Sequence, residues 1–218
     1  MRYFSQLEAA IEYAEIDQSL YEILKEPGGR SYLQKIILEA YFPEFRDTFQ
    51  NSNLNYLEEL ENKIIQEKPS EYITAFKTLA HDLSQAELEE EIYLRGGAFK
   101  REVPRIYNNT CCISGFRVDS GFNISMIDAC HIIPFSESYD DTISNGLALC
   151  PNLHRAFDRG LISIDDQYQV LVSSKFIEAE SSFSLKQFSG KAIAAPAEMQ
   201  FLPSLKNVQW HRKNKFLG

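Results

Sequence analysis

The chain has 218 residues, 44% hydrophobic and 24% charged, with fifteen Phe and eleven Tyr. That composition provides a core for one large domain or two small ones and excludes an intrinsically disordered chain. The formal net charge is −9, but residues 1–94 hold 8 Lys/Arg against 19 Asp/Glu (−11) while residues 95–218 hold 14 against 12 (+2), so acidity of the whole does not exclude a nucleic-acid partner for the second half.

No apolar run approaches the roughly 20 residues that span a bilayer. The start, MRYFSQLEAAIEYAE, carries acids where a secretory signal needs a basic and then an apolar stretch, so a cytoplasmic protein without membrane contact is expected. Residues 3–93 read as helical. Leu7, Ala10, Ile11 and Ala14 recur at helical spacing, as do Tyr32, Ile36, Ile37 and Tyr41. Breakers fall at Pro27-Gly28-Gly29, Pro43, Asn51-Ser52-Asn53 and Pro69, the last opening a new helix. Four or five packed helices are expected, with Glu87 to Glu91 as a solvated acidic face. Gly96-Gly97 is predicted to end the acidic helix and mark the boundary between a helical domain, 1–95, and a second domain, 96–218.

Beyond that boundary, Thr110 to Ser114, Phe122 to Ile132 and Ile162 to Ser173 are rich in β-branched and aromatic residues and read as strands. Ser138 to Asn145 reads as a polar loop. Leu147 to Phe157 reads as irregular at first and helical after Pro151-Asn152. The fold class expected is therefore α+β.

The stretch Asp128 to Asp158 concentrates the chemistry. His131 ends a strand-like run and Pro134 stops it, which puts the imidazole at a sheet rim, where its neutral form can take a proton from water. His154 and Asp158 stand four apart, so on a helix both point the same way and can grip one ion. Arg155 and Arg159 interleave with them and can face a phosphate. Asn145 heads the apolar run Gly146 to Leu149; it can tie its loop to backbone groups and hold His131, or act as a cap or turn residue. A histidine base beside a divalent-metal site suits phosphodiester cleavage. Cys111, Cys112, Cys130 and Cys150 follow no CxxC pattern and read as buried thiols, with a zinc site from Cys111 or Cys112 and Cys150 as the alternative. His81 and His211 read as surface or packing residues.

Taken in order, C-C-I-S-G at 111–115, D-A-C-H-I-I-P at 128–134 and N-G-L-A-L-C-P-N-L-H-R-A-F-D-R-G-L-I at 145–162 resemble the HNH endonuclease family and its ββα-metal module. The resemblance covers residues 97–175 and extends faintly to Gln209-Trp210-His211, leaving the N-terminal helices outside. It implies an N-terminal α-helical domain followed by a ββα-metal nuclease domain. His131 becomes the general base, Asn145 its orienting residue, His154 and Asp158 the ligands of one Mg²⁺ or Mn²⁺, and Arg155 or Arg159 the phosphate contact. Many such nucleases carry a metal-binding Asp or His directly before the base. Here that position is Cys130, a soft ligand, and Asp128 on the same strand face is the natural substitute. The activity implied is cleavage of DNA in restriction or another anti-phage defence, with the N-terminal helices serving dimerisation or target recognition and a homodimer as the assembly. The alternatives are an inactive HNH-like binding module and an effector nuclease that a partner activates.

Overall fold

The computed structural model describes residues 17–25, helical positions scattered between residues 29 and 41, and residues 53–118, 125–179, 181 and 183–218. The chain divides into two compact units, 1–55 and 56–218. In the first, α1 (Gln18–Lys25) is capped by Asp17, whose Oδ1 accepts from the Ser19 and Leu20 N–H groups at 2.9 and 3.2 Å. Tyr32, Ile36, Ile37 and Tyr41 are helical, as their spacing predicts, and exposed. Leu7, Ala10, Ile11, Ala14, Pro27-Gly28, Pro43 and Asn51-Ser52 lie outside the described residues.

Three helices lead into the site: α2 (Asn53–Gln66), α3 (Pro69–Asp82), which opens on Pro69 as predicted, and α4 (Gln85–Ile106). A capping box starts α4. Ser84 N–H donates to Glu87 Oε2 at 2.9 Å and Glu87 N–H returns a bond to Ser84 Oγ at 3.5 Å. The helix does not stop at Gly96-Gly97, which corrects the predicted break. Its inward stripe of Glu91, Arg95, Ala98, Phe99, Glu102 and Val103 continues through both glycines. Burial of that stripe outweighs the ~1 kcal/mol that each helical Gly costs. Nor is Glu91 part of a solvated face. It is buried, accepts from Arg95 Nε at 2.6 Å and from the Tyr56 hydroxyl, and the Arg95 guanidinium lies 4.9 Å over the Tyr72 ring.

The sheet that carries the site has two strands. β1 (Asp128–His131) pairs antiparallel with β2 (Gly146–Leu149), Cys130 opposite Leu147 and His131 opposite Gly146. Between them come a one-turn helix, α5 (Phe135–Ser138), and a 3₁₀ turn, Ile143–Asn145. The segment from Leu147, expected to begin irregularly, begins as strand; α6 (Pro151–Asp158) follows with Pro151 at its first turn. Of the strands expected elsewhere, Ile162 to Ser173 is a hairpin of β3 (Ile162–Ile164) and β4 (Val170–Val172). Thr110 to Ser114 is turn and coil, joined to the sheet by Cys112 N–H donating to Ala148 O at 2.8 Å. The last helix, α7 (Leu205–Asn214), packs on β3. The whole is a mixed helix and small-sheet fold, with helices leading into the sheet.

Alternation along β1 sends neighbouring side chains to opposite faces. His131 turns toward α4, its ring stacked 3.8 Å from that of Phe99, and Cys130 turns toward α6. The approach of α4 to the sheet depends on Gly146. A Cβ there would stand 2.6 Å from Val103 Cγ2 and 3.2 Å from Phe99 Cε2. Gly146→Ala is therefore expected to destabilise the fold by about 1–3 kcal/mol. In urea denaturation the Val103→Ala/Gly146→Ala pair should lose less than the sum of the single changes; simple additivity would refute the contact.

Candidate active site

His154 and Asp158 project from one face of α6, with Nε2 3.4 Å from Asp158 Oδ2. On the other edge of the same ring, Nδ1 lies 3.1 Å from Asp128 Oδ2, so an Nδ1–H donates to Asp128 and the Nε2 lone pair is left facing Asp158. Asp128, expected as a ligand, thus lies across the imidazole from the Asp158 side. The Cys130 thiol is fully buried, 4.0 Å from Asp158 Oδ1; burial first, and then the Asp158 charge, push its pKa well up and keep it protonated. Among the described residues, Cys130, His154 and Asp158 form the group whose ligand atoms lie within 4.8 Å of one another. An imidazole nitrogen beside a half-exposed carboxylate fits a divalent ion; the buried thiol adds little for a hard one.

His131 closes β1 with Nε2 2.7 Å from Asp141 Oδ1, a carboxylate that is almost wholly buried. That bond fixes the tautomer and leaves Nδ1 as the ring's lone pair. Asn145 does not touch His131. Its Nδ2 donates to Ile133 O and Asp140 O, both at 2.9 Å, and its Oδ1 accepts from Ile133 N–H at 2.9 Å and Asn207 Nδ2 at 3.1 Å. The amide therefore grips the chain just after His131 and just before Asp141. Asp141 is absent from the sequence reading; its one signal there is an acid pair, Asp140-Asp141, that ends four residues ahead of Asn145.

His131, His154 and Asp158 open on one cleft of about 300 Å³, lined also by Phe135, His211 and Lys215, while Asp141 and Asn145 stay buried behind it. Arg155 and Arg159 are exposed and are not part of its lining. Cys111 and Cys150 lie against each other, their hydrogen bond holding the Cys111 thiol down, but no third described donor joins them as a zinc site would require. His81 is exposed beside Asp82.

Residues 111–165 match the family model of the HNH endonuclease. They are an HNH domain. It contains His131, Asp141, Asn145, His154 and Asp158; Asn207, His211 and Lys215 lie beyond the matched segment. A solved structure, a modification dependent TagI restriction endonuclease, is similar at 22% identity and a TM-score of 0.38, over 51% of this chain and 35% of that one. No curated protein matches the chain. No described helix is long and apolar enough to cross a membrane.

The HNH domain is closed from behind by His211. Its ring is buried, stacked 3.7 Å from Phe157, with Nε2–H donating to Phe157 O at 3.0 Å and Nδ1 accepting from Ser163 Oγ at 2.9 Å. A packing role is what the sequence suggests for it, and the bond to Phe157 places that role directly beside Asp158. Burial lowers its pKa to about 4. The unfolded chain, with its histidine near 6.5, then binds the extra proton first. The neutral His211 contributes fully above about pH 6.5 and loses its contribution as pH falls toward 4. Chemical denaturation at pH 7 and pH 5 should show a loss of about 2 kcal/mol that is missing in His211→Gln. Equal pH dependence in both proteins would refute the buried neutral state.

Proposed function

We propose that this protein is a metal-dependent endonuclease that hydrolyses DNA phosphodiester bonds, in restriction or another form of anti-phage defence. The observation that carries the proposal is the single cleft lined both by His131, which the buried Asp141 holds from behind, and by the His154–Asp158 pair. His131 accepts a proton from the attacking water at Nδ1. Asp141 keeps Nε2 protonated and stabilises the imidazolium as the proton arrives. Asn145 orients the base through the backbone on either side of the pair, so it is a positioning residue.

His154, through Nε2, and Asp158 would hold Mg²⁺ or Mn²⁺, and Asp128 would orient the His154 ring from its far edge rather than ligate. When bound, the ion supplies Lewis-acid stabilisation of the charge on the phosphate and the leaving 3′ oxygen. Arg155 and Arg159, exposed on α6, suit backbone phosphates flanking the cut. One site cuts one strand, so double-strand cleavage calls for two. Exposed Leu20, Ile23, Ile36 and Tyr41 at helical positions suit the N-terminal unit to homodimer contact. The buried Cys130 favours one other reading, an inactive HNH-like binding module.

Supercoiled plasmid with Mg²⁺ or Mn²⁺ decides between them. Nicking is expected from the wild type, abolished by EDTA, reduced roughly 10²- to 10⁴-fold in His131→Ala, and clearly reduced in Asp141→Asn, which brings no charge to the imidazolium and can turn its N–H donor to Nε2. No cleavage of unmodified or methylated plasmid would sink the stand-alone enzyme and leave the binding module or a partner-activated effector.

A further inference from the structure

Of the described residues that line the cleft, Lys215 is the only lysine or arginine. We propose that Lys215 grips the scissile phosphate of the DNA backbone and that Glu137 holds it in place until the phosphate arrives. This assignment deepens the endonuclease proposal and rests on it.

Lys215 follows the last turn of α7, where its N–H donates to His211 O at 2.8 Å. The chain then presses onto the turn that ends α6. Gly160, at φ +68°, leaves no room for a side chain, since a Cβ would stand 2.0 Å from Lys215 O, and Leu217 N–H donates to Gly160 O at 2.9 Å. Gly160 lies two residues past Asp158, so the tail is registered directly against the helix that carries the metal-facing pair. The Lys215 ammonium donates to Glu137 Oε1 at 3.0 Å and lies 5.8 Å from the centre of the Trp210 ring.

The charge balance requires such a cation. Asp158 lines the cleft while Asp128 and the buried Asp141 stand behind its two histidines, and one divalent ion leaves a net negative field against which a phosphodiester must dock. Arg155 and Arg159 stay outside the lining, and His211 is neutral above about pH 4. The side chains of Lys215 and Glu137 are 35% and 44% exposed, so their pair is solvent-screened and weakly held. A phosphate brought into the cleft can replace the Glu137 carboxylate on Lys215 without burying a new charge.

The test uses full-length protein in the His131→Ala background, which blocks cleavage, and a labelled DNA duplex followed by fluorescence anisotropy across salt. Lys215→Met keeps a long unbranched side chain and loses the charge. It is expected to weaken binding about tenfold and to reduce the slope of log K against log salt by about one, the loss of one phosphate contact. Lys215→Arg should restore the slope, and Glu137→Gln should tighten binding. In the His131-intact protein, Lys215→Met should lower nicking while Lys215→Arg retains it. A slope unchanged by Lys215→Met, with wild type still nicking plasmid, overturns the Lys215 assignment alone. A wild type that neither binds nor nicks DNA overturns both.

Discussion

One buried carboxamide sets the geometry on which the site depends. Asn145 has no exposed surface, and its two N–H donors and both oxygen lone pairs are used. Its own backbone carbonyl also accepts from Ile132 N–H at 2.8 Å. Four bonds from one side chain join the end of β1, the loop at Asp140 and the last helix at Asn207. Removing it would orphan several buried groups at once, each costing about 1–3 kcal/mol. His131 and Asp141, ten residues apart, keep their 2.7 Å contact because both flank the backbone that this amide holds. Stability and chemistry are therefore the same network here.

The two halves of the cleft use one device, an imidazole held by a carboxylate on one nitrogen so that the other is presented. Asp141 fixes His131 from the buried side and Asp128 fixes His154 from the exposed side. The strand separates the roles, since residues 130 and 131 fall on opposite faces of β1 while the strand's end brings His131 to the common rim. His211 adds a third, unexposed ring that ties α7 to the carbonyl of Phe157, just ahead of Asp158. Its charge plays no part; its hydrogen bonds do.

Local features were readable in the sequence and long-range ones were not. His154 and Asp158 on one helix face follow from spacing alone, and His131 at a strand end follows from Pro134. The pairing of His131 with Asp141 crosses a loop whose path no periodicity encodes. Lys215 reaches the cleft from 57 residues beyond Asp158 only through the left-handed turn at Gly160. Gly96-Gly97 has the backbone propensity of a helix end, but the stripe that α4 buries on both sides of it carries the helix through. In the sequence Gly146 is only the first residue of the apolar run that Asn145 heads, whereas in the fold its missing side chain is what lets α4 meet β2.

The central claim is that one hard divalent ion is shared by His154 and Asp158, with Asp128 and Cys130 outside its coordination. Anomalous diffraction from crystals soaked in Mn²⁺ tests it most directly. One peak is predicted, bonded to His154 Nε2 and an Asp158 oxygen at about 2.0–2.3 Å, with Asp128 still on Nδ1. A peak on Asp128 or on the Cys130 sulfur, or none in the cleft beside DNA, would contradict the account.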